Sequence, residues 1–240
     1  MVACRVNSLP PPRNLLLASL SPEDWSAVAP RLERVTLRPR QILEEPRTEI
    51  RAVYFIERGF AAVQVRTQAD GTHGVGLVGR FGMTGLSLLL GTRRAPFRIS
   101  VQVAGEAFRL DAAEAAALFA ENTALRRLGL AYIQAVMVQG AQLSLCNARH
   151  SMKHRVRRWL LLAQDWLGEP EIAVSHQLIA GLLGVRRASV SEQIERLEQA
   201  GIVRQQRASI TVLCREALEQ DSCECHALIS AEYRRLFTRR

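Results

Sequence analysis

Between residues 35 and 110, apolar residues come in short alternating runs broken by glycine; beyond Asp111 they recur every three or four positions. The first texture predicts strands and the second helices. Residues 53–56 and 61–65 read as two strands joined by a turn at Gly59, and Asp70–Gly71 marks a hairpin leading into residues 75–78. Residues 99–103 and 107–110 complete a meander, and strands this short and closely spaced predict a small antiparallel roll or barrel. Ahead of them, Ser21 is placed to cap a short helix with Pro22 in its first turn and Glu23 and Asp24 at the positive end of its dipole.

Beyond Asp111 the pattern predicts a short helix to about residue 120 and a long one over 122–147. The long helix has two apolar edges, Leu125, Leu128, Tyr132 and Ala135 along one, and Leu130, Ile133 and Met137 along the other. A helix apolar on two sides needs two partners. One is the chain's own roll, the other the same helix of a second copy, and the edge of Leu125, Leu128, Tyr132 and Ala135 is the predicted homodimer interface. From His150 the order reads helix, strand, helix, turn, helix, hairpin, helix. The fold class is α+β: a helix and antiparallel β-roll over 1–120, a dimerisation helix over 121–149, and a winged helix-turn-helix unit over 150–240.

Residues 174–201 carry that last assignment. Ser175 can cap a helix burying Leu178, Ile179 and Leu182; Gly184 permits a left-handed turn; a second helix buries Val190, Ile194 and Leu197. Two such helices around a glycine-bearing turn have helix-turn-helix spacing. Gly201 ends the second helix, and residues 202–203 and 210–212 alternate as a hairpin wing. Arg186 stands where a serine-type cap is usual, and Arg187 sits at the end that enters a major groove. Ala188 and Glu192 face away from the buried stripe, flanked by Ser189, Ser191 and Arg196. These seven residues are the predicted DNA-contacting set. Arginine can take guanine O6 and N7 together, glutamate can accept from cytosine N4, and Ser189 and Arg196 suit phosphate.

Composition agrees with this reading but adds little. The net charge is +9, yet beyond residue 149 there are 14 basic and 11 acidic residues, so the excess is spread over the chain. No uninterrupted apolar run reaches the ~18 residues of a membrane span, and residues 15–17 are too short for a secretory core, so a cytoplasmic protein is expected. No acid–base or nucleophile constellation assembles, which argues against an enzyme.

Leu178-Ile-Ala-Gly-Leu-Leu-Gly-Val-Arg-Arg-Ala-Ser-Val190 resembles the helix-turn-helix signature of the Crp/Fnr superfamily of bacterial transcription regulators, and Val53-Tyr-Phe-Ile-Glu-Arg-Gly59 resembles a strand pair of its cyclic-nucleotide-type roll. The resemblance spans roughly residues 20–219. It implies a sensor roll, a dimerisation helix, and a winged domain contacting double-stranded DNA and RNA polymerase. It also implies an effector pocket at Thr84, Gly85, Phe97 and Arg98. There the Gly-Glu and Arg-Ser pairs that hold cyclic AMP in family members are missing, so cyclic AMP is not the expected effector.

No cofactor is assigned. Cys4 stands alone where an iron–sulfur branch of the family clusters its thiols, and His73 in the hairpin is a lone histidine. Gly74-Val-Gly-Leu-Val-Gly79 matches a dinucleotide fingerprint by letter only, since no helix follows and the next acid is Glu106. Cys223-Glu-Cys225-His226 offers soft donors at tight spacing with only Cys214 near in sequence, and His150 with His154 lacks a third ligand, so no metal site is assigned. A second reading keeps these thiols as a metal- or thiol-responsive sensor whose helix-turn-helix is only a packing motif.

Overall fold

The computed structural model describes residues 11–67 and 71–237; Cys4 and the first residue of the Asp70–Gly71 hairpin signal lie outside them. The chain opens with α1 (Leu15–Ala18), capped by Asn14, and α2 (Pro22–Val28), where the Ser21 side chain accepts the Asp24 N–H at 3.1 Å as its sequence foretells. A 3-10 turn (Ala29–Arg31) leads into β1 (Glu33–Leu37), β2 (Ile42–Glu44), β3 (Ala52–Thr67) and β4 (Gly71–Val78). After α3 (Leu86–Leu89) comes β5 (Arg98–Asp111). The sheet is antiparallel, in the order β1-β5-β3-β4, with β2 also paired to β5.

The four short strands predicted on either side of Gly59 and before and after residue 105 are two long ones. Gly59, at φ 74°, is a bulge in β3 and not a turn, and the β3–β5 register shifts around it while pairing continues. Gly105 lies opposite, and a Cβ there would overlap the Arg58 carbonyl. Two chains bending at one corner cross too closely for side chains.

The helical half follows: α4 (Ala112–Glu121), α5 (Thr123–Arg149, capped by Asn122), α6 (Met152–Leu167), β6 (Glu171–Ile172), α7 (His176–Leu183) and α8 (Arg187–Gln199). Next come β7 (Val203–Gln206), β8 (Ser209–Val212), α9 (Arg215–Gln220) and α10 (Cys225–Phe237). The small sheet runs β6-β8-β7.

The main apolar core runs from α1 through the roll, α5 and α6 to α10, and a smaller one, with Leu37, Ile56 and Val101, lies within the roll. Phe60 of β3 meets Trp159 of α6 edge-on at 6.5 Å, and the Trp166 indole N–H donates to the Leu77 carbonyl of β4 at 3.2 Å. Tyr233 of α10 lies against Tyr132 and Trp166, so the C-terminal helix is packed into the body.

The predicted dimer edge is corrected here. Leu125, Tyr132 and Ala135 are at most 1% exposed and Leu128 is half-buried, all packed within the chain's own core, with Tyr132 edge-on to Tyr233 of α10. A Cβ at Gly82 would overlap the Tyr132 hydroxyl, so Tyr132 is already packed tightly against its own chain. The edge left open is the opposite one. Leu130, Gln134, Met137, Ala141, Ser144 and Ala148 are exposed at alternating steps of four and three residues. By length and composition α5 is the one described helix that could cross a membrane, but its other face carries this burial.

Candidate nucleic-acid interface and a thiol–imidazole cluster

The Ser175 hydroxyl caps α7 by accepting the Leu178 N–H at 3.2 Å, and Gly184, at φ 65°, ends that helix. Val190, Ile194 and Leu197 of α8 are buried, as the i, i+4, i+7 spacing requires. Arg186 is the N-cap of α8 and makes no side-chain cap hydrogen bond, which leaves first-turn N–H groups open to an anion.

Arg186, Arg187, Ala188, Glu192 and Arg196 are exposed along α8, while Ser189 and Ser191 are half-buried. Ser191 is already engaged, its hydroxyl 3.0 Å from His176 Nδ1. Burial and the nearby Arg187 charge hold the His176 imidazole below its ordinary pKa. Arg196 and Glu192 pair at 2.6 Å, an exposed i, i+4 contact of little stability value. The wing is tied to α8 through Gln205, whose backbone and side-chain amides donate to Glu198 at 2.7 and 2.6 Å. Its turn places Ala208 at φ 60°, where glycine is usual.

The helix-turn-helix leans on the roll. Leu182 lies against β4 where Gly74 supplies the space, for a Cβ there would come within 2.6 Å of it. Between roll, α5, α6 and α7 lies a cavity of about 560 Å³, lined by residues including Val63, Leu77, Phe97, Trp159 and Leu182. Of the predicted effector residues, Phe97 lines it. Thr84 is buried with its hydroxyl accepting the Tyr54 N–H at 3.0 Å, and Arg98 reaches Glu45 at 3.7 Å. The Gly85 N–H donates at 2.6 Å to Glu44, a carboxylate from β2 that the sequence did not point to. Burial raises the Glu44 pKa, against the lowering effect of that bond. Arg158 also lines the cavity; it is 2% exposed, and its Nε and one terminal nitrogen have no partner.

The thiols group differently from the expectation. His226 is not beside Cys223 and Cys225 as a ligand; its Nε2 meets Asp165 Oδ2 at 2.9 Å, with Arg215 on the other carboxylate oxygen at 2.8 Å. Burial pushes the Asp165 pKa up, but His226 and Arg215 outweigh it and hold the carboxyl below its ordinary value. Cys214 contacts Glu216, and His154 contacts Ser151. Cys223 and Cys225 instead meet Cys146 and His150 from the end of α5, with all four donor atoms within 4.8 Å of one another. Burial pushes the Cys146 thiol up to about 12 against the pull of Arg158, and burial raises Cys223 as well. Cys146 and His150 are four apart on one helix, a spacing visible in the sequence. Their partners are not, because 77 residues separate Cys146 from Cys223.

Residues 154–221 match the Crp-like helix-turn-helix domain. The fold is similar to that of FixK2 from Bradyrhizobium japonicum, at TM-score 0.68 and 14% identity over 80% of this chain and 98% of that one. It is similar to a CRP-family transcriptional regulator of Thermus thermophilus, at TM-score 0.64 and 19% identity over 78% and 96%. It is also similar to the c-di-GMP responsive global regulator CLP of Xanthomonas campestris, at TM-score 0.61 and 13% identity over 80% and 99%. No curated protein sequence matches the chain.

Proposed function

We propose that this chain, whose residues 154–221 match a Crp-like helix-turn-helix domain and whose fold is similar to that of Crp/Fnr regulators, is a sequence-specific, DNA-binding transcription regulator that acts as a homodimer. One observation carries the reading: α8 presents Arg187, Ala188 and Glu192 to solvent from its first two turns, with Arg186 at its N-cap and Arg196 exposed in its last turn. In this reading Arg187 reads base edges and Arg196 holds phosphate, with Ser189 beside it. Residues 1–120 are the sensor part, 121–149 the dimerisation helix and 150–240 the DNA-binding part. The open seam of α5 supports the dimer, since alternating steps of four and three suit a two-helix contact and Ala141, Ser144 and Ala148 let the backbones approach. A two-fold pair places its reading helices about 34–36 Å apart, so the operator is an inverted repeat. RNA polymerase is the natural second partner, in the cytoplasm, and no catalytic step is involved.

The effector is not a cyclic nucleotide in this reading. Most of the cavity wall is apolar, Arg98 is drawn toward Glu45, and the Glu44 carboxylate at the start of α3 would repel a phosphate there. An occupant would touch both β4 and α7, which couples it to the position of the helix-turn-helix.

Selection from a randomised duplex library, followed by binding across a salt series, tests the function. An inverted repeat whose affinity falls steeply with salt is expected. Recovery of no enriched sequence, with binding indifferent to salt, would overturn the proposal.

A further inference from the structure

The winged unit is entered by the chain at His150–Ser151 and left at Ser222–Cys223, and these two points lie together. Cys146 is in the last turn of α5 and His150 is its C-cap; Cys223 and Cys225 stand just before and at the start of α10. Cys146 Sγ is 3.6 Å from Cys223 Sγ, and Cys225 Sγ is 3.4 Å from His150 Nδ1. The three cysteines are buried and the histidine is half-buried. We propose that Cys146, His150, Cys223 and Cys225 form a mononuclear, four-coordinate site for a thiophilic divalent cation of the zinc type, which clamps both ends of the winged unit to the dimerisation helix.

The donor set is three thiolates and one imidazole, a combination zinc takes in closed structural sites. With metal–sulfur bonds near 2.3 Å, the edge of a tetrahedron is about 3.8 Å, close to the observed donor separations. A multinuclear iron–sulfur cluster sets several irons and bridging sulfides between its thiolates and needs a wider ring than donors within 4.8 Å allow. A disulfide between Cys146 and Cys223 would leave Cys225 and His150 unexplained, and at 3.6 Å the sulfurs are not bonded.

The surroundings suit an anionic complex. Three thiolates around a dication leave one negative charge, each thiol having released its proton to solvent. Arg158 is a buried guanidinium whose charge is felt at Cys146 and which has two nitrogens without partners. The Gln142 side-chain amide donates to Cys225 Sγ at 3.2 Å, and the Cys225 backbone N–H donates to Cys223. Such outer donors orient ligand sulfurs and stabilise their charge. The C-x-C spacing that looks too tight for a two-ligand knuckle is tolerated because the other two ligands come from a helix already in place.

Cobalt(II) titration of the full-length, reduced protein tests this without reference to DNA. One equivalent per chain should give the intense visible bands of tetrahedral cobalt and thiolate-to-cobalt charge transfer, and zinc should displace both. Cys225→Ser and His150→Ala should each weaken cobalt binding by roughly 100-fold, Gln142→Ala by roughly 10-fold, and Cys214→Ser should leave it unchanged. His150 is half-buried, so its variant keeps the packed thiols and separates ligation from folding. Absence of charge-transfer bands in the wild type overturns the site. So do bands that survive in both ligand variants, or purified protein carrying several irons with acid-labile sulfide. Because the readout is spectroscopic, its failure leaves the DNA-binding proposal standing on its own test.

Discussion

Met137 separates the two edges of α5 by experiment. It is 68% exposed and lies in the open seam, two turns beyond Leu130 at 42%. Complete burial of a methionine side chain is worth about 1.5–3 kcal/mol, so the two-thirds still exposed leaves about 1–2 kcal/mol per chain to gain at an interface. A two-fold contact counts it twice, giving about 2–4 kcal/mol, or roughly 30- to 1,000-fold in the dimer dissociation constant. Met137→Ala should therefore weaken self-association by that factor while leaving the melting temperature of the dissociated chain nearly unchanged. Leu125→Ala should do the reverse. That residue is 1% exposed in the chain's own core, and its truncation should cost about 2–5 kcal/mol of folding stability. Sedimentation equilibrium over a concentration series, paired with thermal unfolding at the lowest concentration, reads both quantities. A dimer constant unmoved by Met137→Ala but weakened by Leu128→Ala would refute the assignment and restore the edge read from sequence.

Arg187→Ala should cost about 1–3 kcal/mol on the selected operator and relax one base position per half-site, whereas Arg196→Ala should weaken all sequences alike and reduce the salt slope by about one. Binding profiles for both on the randomised library check this, and an Arg187→Ala profile identical to wild type would reject the docking. The Asp165 carboxyl is held below its ordinary value of 3.8, so its contribution to stability is complete above that pH and is lost as pH falls through the depressed value. An acid-unfolding series should show this loss in the wild type and not in Asp165→Asn; parallel curves would contradict it. Ala208 sits in a left-handed conformation costing about 1–2 kcal/mol, and the extra chain entropy of glycine offsets about half of that. Ala208→Gly should raise stability by up to about 1 kcal/mol, seen as a melting temperature about 2–4 °C higher, and a lower one would count against strain at the wing.

The parts legible in the sequence are those governed by neighbours along the chain. Ser21, Ser175 and Gly184 mark helix ends because capping and left-handed turns depend on a few adjacent residues, and each is found in its expected role. The buried stripe Val190, Ile194 and Leu197 follows from helical period, and it fixes which face of α8 is left for Arg187 and Glu192. What depended on tertiary structure is every choice between two locally equal alternatives. Both edges of α5 are apolar, and the positions of the roll and of α10, with Gly82 yielding space to Tyr132 and Tyr233 packed on it, decide which is covered. Glycine at 59 permits a turn or a bulge, and the continuous pairing of β3 with β5 selects the bulge. His226 and His150 are equally plausible ligands by type, but Asp165 engages the first and the end of α5 brings the second to Cys225. Cys146 and Cys223 meet across 77 residues because α10 packs back along α5, with Tyr233 buried among Tyr132 and Trp166 and Asp221 paired to Lys153 and Arg157.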